Sequence, residues 1–570
     1  MLKRTISIIL LFIIVSIASI FGFTNTSFRN ASTATLFEDD YDMWLGPYPL
    51  PDPARLSLID GARLYTNLSN LVDKSEEPFS NFTNNYFLFG GSTRPIRDIA
   101  NLGVIIDRYN NKEAWDTGLL DRLGNPIFGY GDVVNATLVD EDNNGTYDRR
   151  TTVEETRETW SDNGVKDFVL GFGKDMDGKS FGIFYRLSQT NSEIYGLNGG
   201  VPVNYTFDST DVNLISGDRT FIDNKVGTGS TNDGLTGQLF GFSYWKNLSE
   251  QKTFGLHFGY TMFAGATDDV WDRSDNWNGS PDDPNITDTY SMTETSDENI
   301  PYAGNTITGW FSFINNLNAI MHLRFDTYYI RSSFDISSDA TRTHTFTDNR
   351  IAADNHTESN NNSETGNISG NGSSQTVAVK GKIIYDLSKK LRFGIGLGFD
   401  AITKDTTRVE STDGTDVYTF NDGDNEPNDP DDYTQTTTYS QSIQTKTTEA
   451  IKTITIPVGL EFNITNPLVF RLGAIHSISL NEATTNEDLL SYSAELTHTV
   501  YGDGTESYQI NPNPNIENIG SSEDNTISFS NTTYTYGFGY TVGQNLQIDL
   551  MGFSDLTNLS NWKVSATLKF

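Results

Sequence analysis

The stretch Lys390–Asp400, KLRFGIGLGFD, carries two faces of opposite character. Its odd positions, 391 to 399, are all leucine, isoleucine or phenylalanine, and its even positions hold charged residues or glycine. Since successive side chains of a β-strand point to opposite faces, this pattern predicts a strand with one wholly apolar, aromatic-rich face. The same pattern recurs at 252–262 and 534–540. A soluble β-sandwich would place lysine, glutamate and threonine on the outer face rather than glycine, so a membrane-facing strand is the favoured interpretation.

From about residue 167 onward, strands with alternating apolar and polar residues are joined by two kinds of connection. Tight turns and long polar stretches follow each other in strict alternation. The predicted turns lie at 174–179, 247–251, 315–318, 386–390, 463–467 and 543–545. The long stretches, rich in Asn, Asp, Ser and Thr, lie at about 190–233, 264–303, 333–375, 402–449 and 481–530. A transmembrane β-barrel has short periplasmic turns and long extracellular loops, whereas a sandwich shows no such difference between its ends. The sequence therefore predicts an all-β, antiparallel, up-and-down transmembrane barrel.

The strand number follows from the same pattern. Thirteen strands are evident between residue 167 and the C-terminus, and the stretch at 86–91 supplies a fourteenth. If the stretches at 100–109 and 63–68 also pair, the number becomes 16. The prediction is about 14 strands, with 16 as the alternative, and either barrel is wide enough for an internal lumen.

The N-terminal region divides into two predicted segments. Residues 1–34 are expected to be a signal peptide, because Lys3 and Arg4 precede an apolar run too short for a comfortable helical span, although the cleavage position is open. Residues 35–83 contain the proline-rich WLGPYPLPDPARL and are expected to form a tether or a plug inside the barrel. Residues 84–570 would then be the barrel.

Composition excludes several classes of function. The chain has no cysteine, so it has no disulfide framework and no thiolate metal site. A formal net charge of −36 argues against nucleic acid as a partner, because phosphates require Lys and Arg. Known catalytic motifs such as G-x-S-x-G and H-E-x-x-H do not occur, and the six histidines are scattered. We therefore do not expect an enzyme or a resident cofactor.

The final strand, NWKVSATLKF at 561–570, alternates without error and ends on an aromatic residue. With the signal sequence and the unequal connections, it resembles the Gram-negative outer-membrane β-barrel proteins, porins among them. That resemblance implies that Phe570 is part of a signal read by the barrel-assembly machinery. A narrower similarity is to the long-chain fatty-acid transporters, 14-stranded barrels with an N-terminal plug that bears an Asn-Pro-Ala motif. This sequence has Asp52, Pro53 and Ala54 instead, so it departs from the motif at the first residue.

The polar strand faces assign side chains to the lumen, because a charge facing lipid costs roughly 2 to 4 kcal/mol at mid-depth for Lys or Arg. Such residues could form a mixed-charge constriction of a pore or a salt-bridged interior that fills the barrel. Asp386 falls on the same face by parity. The predicted lumen-lining residues are Arg186, His257, His322, Arg324, Asp326, Lys380, Lys382, Arg392, Asp400, Glu461, Arg471 and Asp549.

A possible calcium loop lies in DEDNNGTYD. Asp140, Asp142, Asn144 and Asp148 follow the D-x-D-x-N-G spacing in which alternate oxygens converge on one ion. Thr151 stands where an EF-hand has its last glutamate, and Asn-Gly is also a strong turn signal. An ordinary acidic hairpin tip is therefore the alternative.

The function expected from the sequence is the passage of small solutes, with cations favoured by the acidic loops, across the outer membrane. The alternatives are a surface-exposed structural or adhesive barrel with a closed lumen, and a transporter of hydrophobic ligands. The expected partners are outer-membrane lipid, lipopolysaccharide, the barrel-assembly machinery and small solutes or ions.

Overall fold

A computed structural model describes most of the chain. The described residues are 27–46, 49–69, 84–93, 99–114, 116–120, 126–128, 130–139, 147, 149–198, 201–202, 205–213, 219–279, 288–352, 356–424, 426, 428–511, 522–553 and 563–570. Within these ranges no helix has the length and apolar character needed to cross a membrane.

Three short helices precede the strands: α1 (Phe28–Ser32), α2 (Asp40–Leu45) and a 3₁₀ helix (Pro53–Leu58). Asp39 caps α2, because its side chain accepts from the amides of Tyr41 and Asp42, and the Asp42 carboxylate accepts in return from the amide of Asp39. The strands are, in chain order, β1 (Arg63–Ser69), β2 (Asn84–Ser92), β3 (Asn101–Ala114), β4 (Asp116–Leu120), β5 (Pro126–Phe128), β6 (Tyr130–Val139), β7 (Arg149–Glu158), β8 (Trp160–Asp175), β9 (Lys179–Tyr195), β10 (Leu197–Asn198), β11 (Val201–Pro202), β12 (Tyr205–Asn213), β13 (Arg219–Asn247), β14 (Lys252–Gly279), β15 (Thr289–Asn318), β16 (Met321–Ile336), β17 (Thr341–Ile351), β18 (Thr357–Ser388), β19 (Leu391–Asn421), β20 (Tyr433–Asn463), β21 (Leu468–Tyr492), β22 (Glu495–Tyr501), β23 (Glu506–Asn511), β24 (Ser522–Val542), β25 (Leu546–Phe553) and β26 (Lys563–Lys569).

Sixteen of these strands form a closed antiparallel ring. The order is β1-β2-β3-β8-β9-β13-β14-β15-β16-β18-β19-β20-β21-β24-β25-β26, and β26 pairs back with β1. The predicted all-β, antiparallel, up-and-down sheet that closes on itself is thus confirmed. The ring has the alternative number of 16 strands rather than 14, because β1 and β3 both pair. Its wall begins at Arg63, so the predicted boundary at residue 84 is corrected to residue 63.

The wall has an exposed apolar outer face and a buried polar inner face. On β14, Leu256 and Phe258 are 46% and 41% exposed, whereas His257 between them is 4% exposed. The same alternation occurs on β19, where Ile395, Leu397 and Phe399 are all exposed. This is the reverse of a water-soluble protein, whose large apolar side chains lie mostly inside. The alternation follows directly from the period-two sequence pattern.

The long polar stretches predicted as loops are largely strand. β13, β14, β15, β18, β19 and β20 are 28 to 32 residues long and extend far beyond their apolar bands. Threonine pairs across neighbouring strands hydrogen-bond one another, as in Thr295 with Thr345 and Thr437 with Thr497. Such cross-strand pairs stabilise a sheet in water, so polar sequence with β-branched residues continues the strand. The predicted turn at 315–318 lies inside β15, because pairing with β16 continues to Asn318.

Residues 27–46 and 49–62, named the plug below, lie inside the ring. Gly103 and Gly171 on the wall approach the Trp44 ring, Gly459 approaches the carbonyl of Thr33, and Gly537 approaches Ser32. Trp44 is fully buried. The plug therefore contacts strands on several sides of the inner wall.

The plug changes the interpretation of the N-terminus, since α1 lies within the predicted signal peptide 1–34. Ser27 donates from its amide to Asp42, and Arg29 on α1 pairs with Glu461 of β20. Cleavage at Ser32–Ala34 would remove these contacts. The signal-peptide boundary at residue 34 is therefore inconsistent with the folded plug, and residues 27–34 belong to the barrel interior.

We expect the N-terminus of the protein extracted from membranes to lie at or before Ser27, because α1 is buried against the wall. Intact-mass measurement and N-terminal sequencing of the purified folded protein would locate it. A mature N-terminus after Ala34 would contradict this structure of the plug.

Candidate functional site: the interface of plug and wall

Glu38 of the plug is the centre of one cluster of charges. Its carboxylate accepts from Nζ of Lys382 at 2.8 Å and from Nη1 of Arg324 at 2.9 Å, and these cations belong to β18 and β16. Arg55 of the plug donates to the same carboxylate at 3.2 Å. Burial alone would raise the pKa of Glu38, but Arg324, Lys382 and Arg55 together hold that pKa well below its usual range. The cluster binds the plug to two neighbouring strands.

A second cluster lies at the wall strands β20, β21 and β25. Arg29 of the plug makes two hydrogen bonds of 2.8 Å to the Glu461 carboxylate. Arg471 donates to Glu461 at 3.0 Å and also to Asp549. The guanidinium of Arg29 is planar and presents two parallel donors, which matches a carboxylate geometrically. The plug thus adds a second cation to Glu461, which Arg471 already links to Asp549.

Asp52, the first residue of the Asp-Pro-Ala tripeptide, meets an aromatic group on the wall. One carboxylate oxygen accepts from Nε1 of Trp245 at 2.7 Å, and the other lies 3.7 Å from Nδ1 of His257. The His257 ring stacks on Trp310 with centroids 3.7 Å apart. Burial raises the pKa of Asp52 to about 6, although Arg55 and the bond from Trp245 act in the opposite direction. Two residues further along the plug, the amide of Ala54 donates to Oγ of Ser243 at 2.9 Å.

Glycines on the inner wall let the plug backbone approach closely. A Cβ added at Gly173 would lie 1.9 Å from the carbonyl oxygen of Pro53, and one at Gly182 would lie 2.3 Å from the amide nitrogen of Ala54. Such distances require the backbone to move. The glycine-rich inner faces that distinguished this sequence from a sandwich therefore have a structural reason: they make space for the Asp-Pro-Ala segment.

The inner wall also has apolar regions. One, on β1, β2, β3 and β8, packs against α2 and the 3₁₀ helix of the plug. A second joins Leu50 of the plug to Phe184 and Leu239. A third extends from β13 to β18 and lies further from the short turns, since its Leu235 precedes Leu239 of the second region by four residues on β13. The first contains Tyr41, Trp44, Leu45, Leu56, Ile59, Tyr65, Leu88, Ile105 and Val169. The third contains Leu235, Phe263, Ile300, Tyr302, Phe334, Ile336, Ala340 and Ile368.

The structure places the predicted lumen residues in four groups. Arg324, Asp326 and Lys382 belong to the Glu38 cluster, and Glu461, Arg471 and Asp549 belong to the Arg29 cluster. His257 contacts Asp52. The others pair within the wall: Arg186 with Asp167, His322 and Arg392 with Asp386, and Lys380 with Asp400.

Sequence reasoning missed the plug partners, Arg29, Glu38 and Arg55. Strand parity identifies inward-facing wall residues, but the plug has no strand period and its contacts are with residues distant in sequence. The acidic run that begins at Glu38 is the sequence signal that could have pointed to them. Two carboxylates of the plug, Glu38 and Asp39, follow directly on the apolar Leu36 and Phe37.

The possible calcium loop, Asp140, Asp142, Asn144 and Asp148, lies outside the described residues. Elsewhere, Asp422, Asp429 and Asp432 place carboxylate oxygens within 4.8 Å of one another. These three residues hold their own loop through hydrogen bonds to backbone amides, such as Asp432 to the amide of Asp422 at 2.9 Å. That role accounts for their proximity.

The chain was compared with known proteins. No family model matches it, and no curated protein matches it. Among solved structures it is similar to the Ralstonia pickettii toluene transporter TbuX, at 11% identity over 96% of this chain and 100% of that chain, with a TM-score of 0.31. It is similar to the TodX monoaromatic hydrocarbon channel at 10% identity, over 95% and 98%, with a TM-score of 0.29. A Pseudomonas aeruginosa FadL homologue gives 12% identity, over 96% and 100%, with a TM-score of 0.23.

Gly173→Ala is expected to weaken plug docking, because its Cβ would collide with the Pro53 carbonyl. A cost of about 1 to 3 kcal/mol is typical of such overpacking. Urea titrations of the folded protein, followed by the mobility shift on heating, would measure it. Gly309→Ala is the matched control, since a Cβ there meets no atom within 4 Å. Equal midpoints for the two variants would show that the close approach has no energetic consequence.

Plug docking is expected to strengthen as the pH falls from 7 to 5. Asp52 has a pKa of about 6 when docked and about 3.9 when hydrated, so the docked form binds the proton more tightly. The contribution is small at pH 7, reaches about tenfold in the docking equilibrium at pH 5, and levels off below about pH 3. Hydrogen exchange of the plug amides would report the equilibrium.

Asp52→Asn is the control for this pH effect, because the amide still accepts from Trp245 but does not titrate. The pKa values of Asp39 and Asp42 are also raised, first by burial and then by neighbouring carboxylates, so some pH dependence of the same sign remains in that variant. Identical pH profiles for wild type and Asp52→Asn would refute the role of Asp52.

Proposed function

We propose that this protein is an outer-membrane transport barrel whose lumen is closed by the plug and opens when the plug leaves the charged side of the wall. The observation that carries the proposal is the plug itself, which Glu38 binds to β16 and β18 and Arg29 binds to β20 of the inner wall. A segment bound in this way narrows the lumen, so we propose gated passage of solutes in place of the free passage expected from the sequence.

The membrane location is supported by the exposed apolar side chains of the outer wall. In lipid, backbone groups cannot be hydrated, so only a closed ring of strands satisfies them. Phe240, Phe242 and Phe258 on adjacent strands are each more than 40% exposed, and water is an unfavourable surrounding for so many rings. The partners that follow from this location are outer-membrane lipid, lipopolysaccharide and the barrel-assembly machinery.

The chemistry of the plug contacts favours a moving plug over a static filler. Buried ion pairs are weak evidence for stability, because the desolvation cost offsets much of the attraction. When Glu38 and Arg29 separate from the wall, water entering the lumen can hydrate all the charges that are released. An interface of this kind separates at a lower cost than an apolar core of the same area.

The inner wall favours a hydrophobic ligand, as a second candidate beside small cations. The apolar cluster that includes Phe263 and Phe334 lies beyond the contact of Leu50 with the wall, on the side of the long strands. Small cations are favoured instead by the acidic stretches 268–298 and 405–432. For an apolar ligand, transfer from water to the apolar segments of the wall lowers the free energy. A cation is stabilised only near the acidic stretches.

An interruption of backbone pairing in the wall adds to the hydrophobic alternative. The pairing of β19 with β20 passes from Ile395–Val458 to Gly398–Thr455 in the same register, and Gly396 and Leu397 have no partners in that ladder. Pro457 lies opposite them, has no amide hydrogen to donate, and packs its ring close to Gly396. The interruption lies within the apolar outer band, since Leu397 is 60% exposed. Fewer backbone hydrogen bonds would have to break here than elsewhere for the two strands to separate and release an apolar ligand into lipid.

Reconstituted wild-type protein is expected to show little conductance in planar bilayers, and the double variant Glu38→Gln, Glu461→Gln is expected to conduct. Each change removes one carboxylate of an ion pair between plug and wall and keeps the side-chain shape. The current through the variant should favour cations, and this preference should weaken as salt screens the acidic rim.

Glu482→Gln is the matched control, because Glu482 pairs with Lys452 at an exposed position away from the plug. If the folded double variant stays silent, the closed-lumen adhesive barrel becomes the better proposal. If the wild type already conducts as an open pore, the gate is absent.

A further inference from the structure

The pairing of β1 with β26, named the seam below, joins the first and last strands of the ring. Within the described residues, the pairing runs from Arg63 with Lys569 to Ser69 with Lys563. It connects the two ends of the sheet, so any contact that stabilises this pairing also stabilises the closed ring.

Asp40 of the plug lies across the seam. Its Oδ2 atom accepts from Nε of Arg63 on β1 at 2.7 Å and lies 3.9 Å from Nζ of Lys569 on β26. One carboxylate oxygen therefore faces a cation from each of the two strands. The Arg63 side chain is 7% exposed, so this pair is screened less than a surface pair.

The end of the plug also binds the last residue of the chain. Phe570 donates from its amide to the carbonyl of Ala62 at 3.0 Å, and Ala62 donates back at 3.4 Å. Gly61 has φ of +77°, and a Cβ there would lie 2.5 Å from the Phe570 carbonyl oxygen. The left-handed backbone at Gly61 thus lets Phe570 lie against Gly61 and Ala62, the last two residues of the plug.

The two flanks of the seam are held by different parts of the plug. Tyr41 of α2 contacts Tyr65 of β1 edge to face, with ring centroids 5.4 Å apart. On the other flank, Arg29 of α1 reaches β25 through Glu461, Arg471 and Asp549. The plug therefore spans the seam from β1 to β25.

We propose that the plug has a second role, as a brace that holds the seam closed through Asp40. Docking of the plug and pairing of β1 with β26 are then coupled, and each stabilises the other. Loss of Asp40 leaves Arg63 and Lys569 as two adjacent cations without their shared carboxylate, so the seam is weakened from both sides. This role is independent of whether the barrel transports anything.

Hydrogen exchange of the folded protein in detergent tests the proposal with Asp40→Asn. The amides of β1 and β26 are expected to exchange at least tenfold faster than in the wild type, while those of β16 and β18 keep their rates. Glu38→Gln is the control, because it removes a plug carboxylate that binds β16 and β18 instead. Unchanged exchange at the seam in Asp40→Asn overturns the proposal, and so does an equal increase in Glu38→Gln.

A disulfide provides the second test if Asp40→Asn fails to fold. Thr66 and Ala566 are direct partners across the seam, and the natural chain has no cysteine to compete. Opposed residues in an antiparallel pair have Cα separations within the range a disulfide spans. Thr66→Cys with Ala566→Cys is expected to restore folded, heat-modifiable Asp40→Asn protein under oxidising conditions. Failure of the crosslink to restore it, in a background where the crosslink forms in the wild type, overturns the proposal.

Discussion

The pairing of β1 with β26 is the contact on which the rest of the molecule depends, because it turns a long antiparallel sheet into a ring. A ring has no free edge along its paired length, so its backbone groups are satisfied without water. Once the ring is closed, each strand has one face outside and one face inside. The apolar faces then surround the barrel, and the charged and glycine-rich faces have to be accommodated in the interior.

Glycine and charge solve that interior problem in different ways. Glycines such as Gly173 and Gly182 leave room for the backbone of the plug, while Arg324, Lys382 and Glu461 supply partners for its charges. An interior lined only by large apolar side chains would have filled itself. In the present interior, Arg186 and Arg392 pair within the wall, whereas Lys382 pairs with the plug.

The wall could be predicted from the sequence because its information is local. In Lys390–Asp400, odd or even position alone predicts which face of the strand each side chain lies on. The turn at 543–545 is predicted by the turn-forming residues within it. The plug could not be predicted in the same way. Glu38 lies in an aperiodic stretch, and its partners Arg324 and Lys382 are nearly 300 residues or more away in the chain. The strand length beyond the apolar band was also missed, since Asn, Ser and Thr read as loop until cross-strand partners are known.

The plug is attached to the wall by two kinds of contact, and this difference has a mechanical consequence. On the side of β1, β2, β3 and β8, α2 and the 3₁₀ helix pack through Trp44, Leu56 and Ile105, so separation there would expose apolar surface. On the side of β16 to β25 the plug is attached through the charges of Glu38 and Arg29, and also through Leu36 and Phe37, which are buried against Gly394 and Gly459. Separated charges can be hydrated, whereas exposed apolar surface is unfavourable in water, so the ion pairs of Glu38 are contacts of low cost to break. Under the proposed gating, the plug therefore releases β16 and β18 while Asp40 stays between Arg63 and Lys569. The contacts proposed to close the lumen and those proposed to brace the ring are thus made by different residues of one short segment.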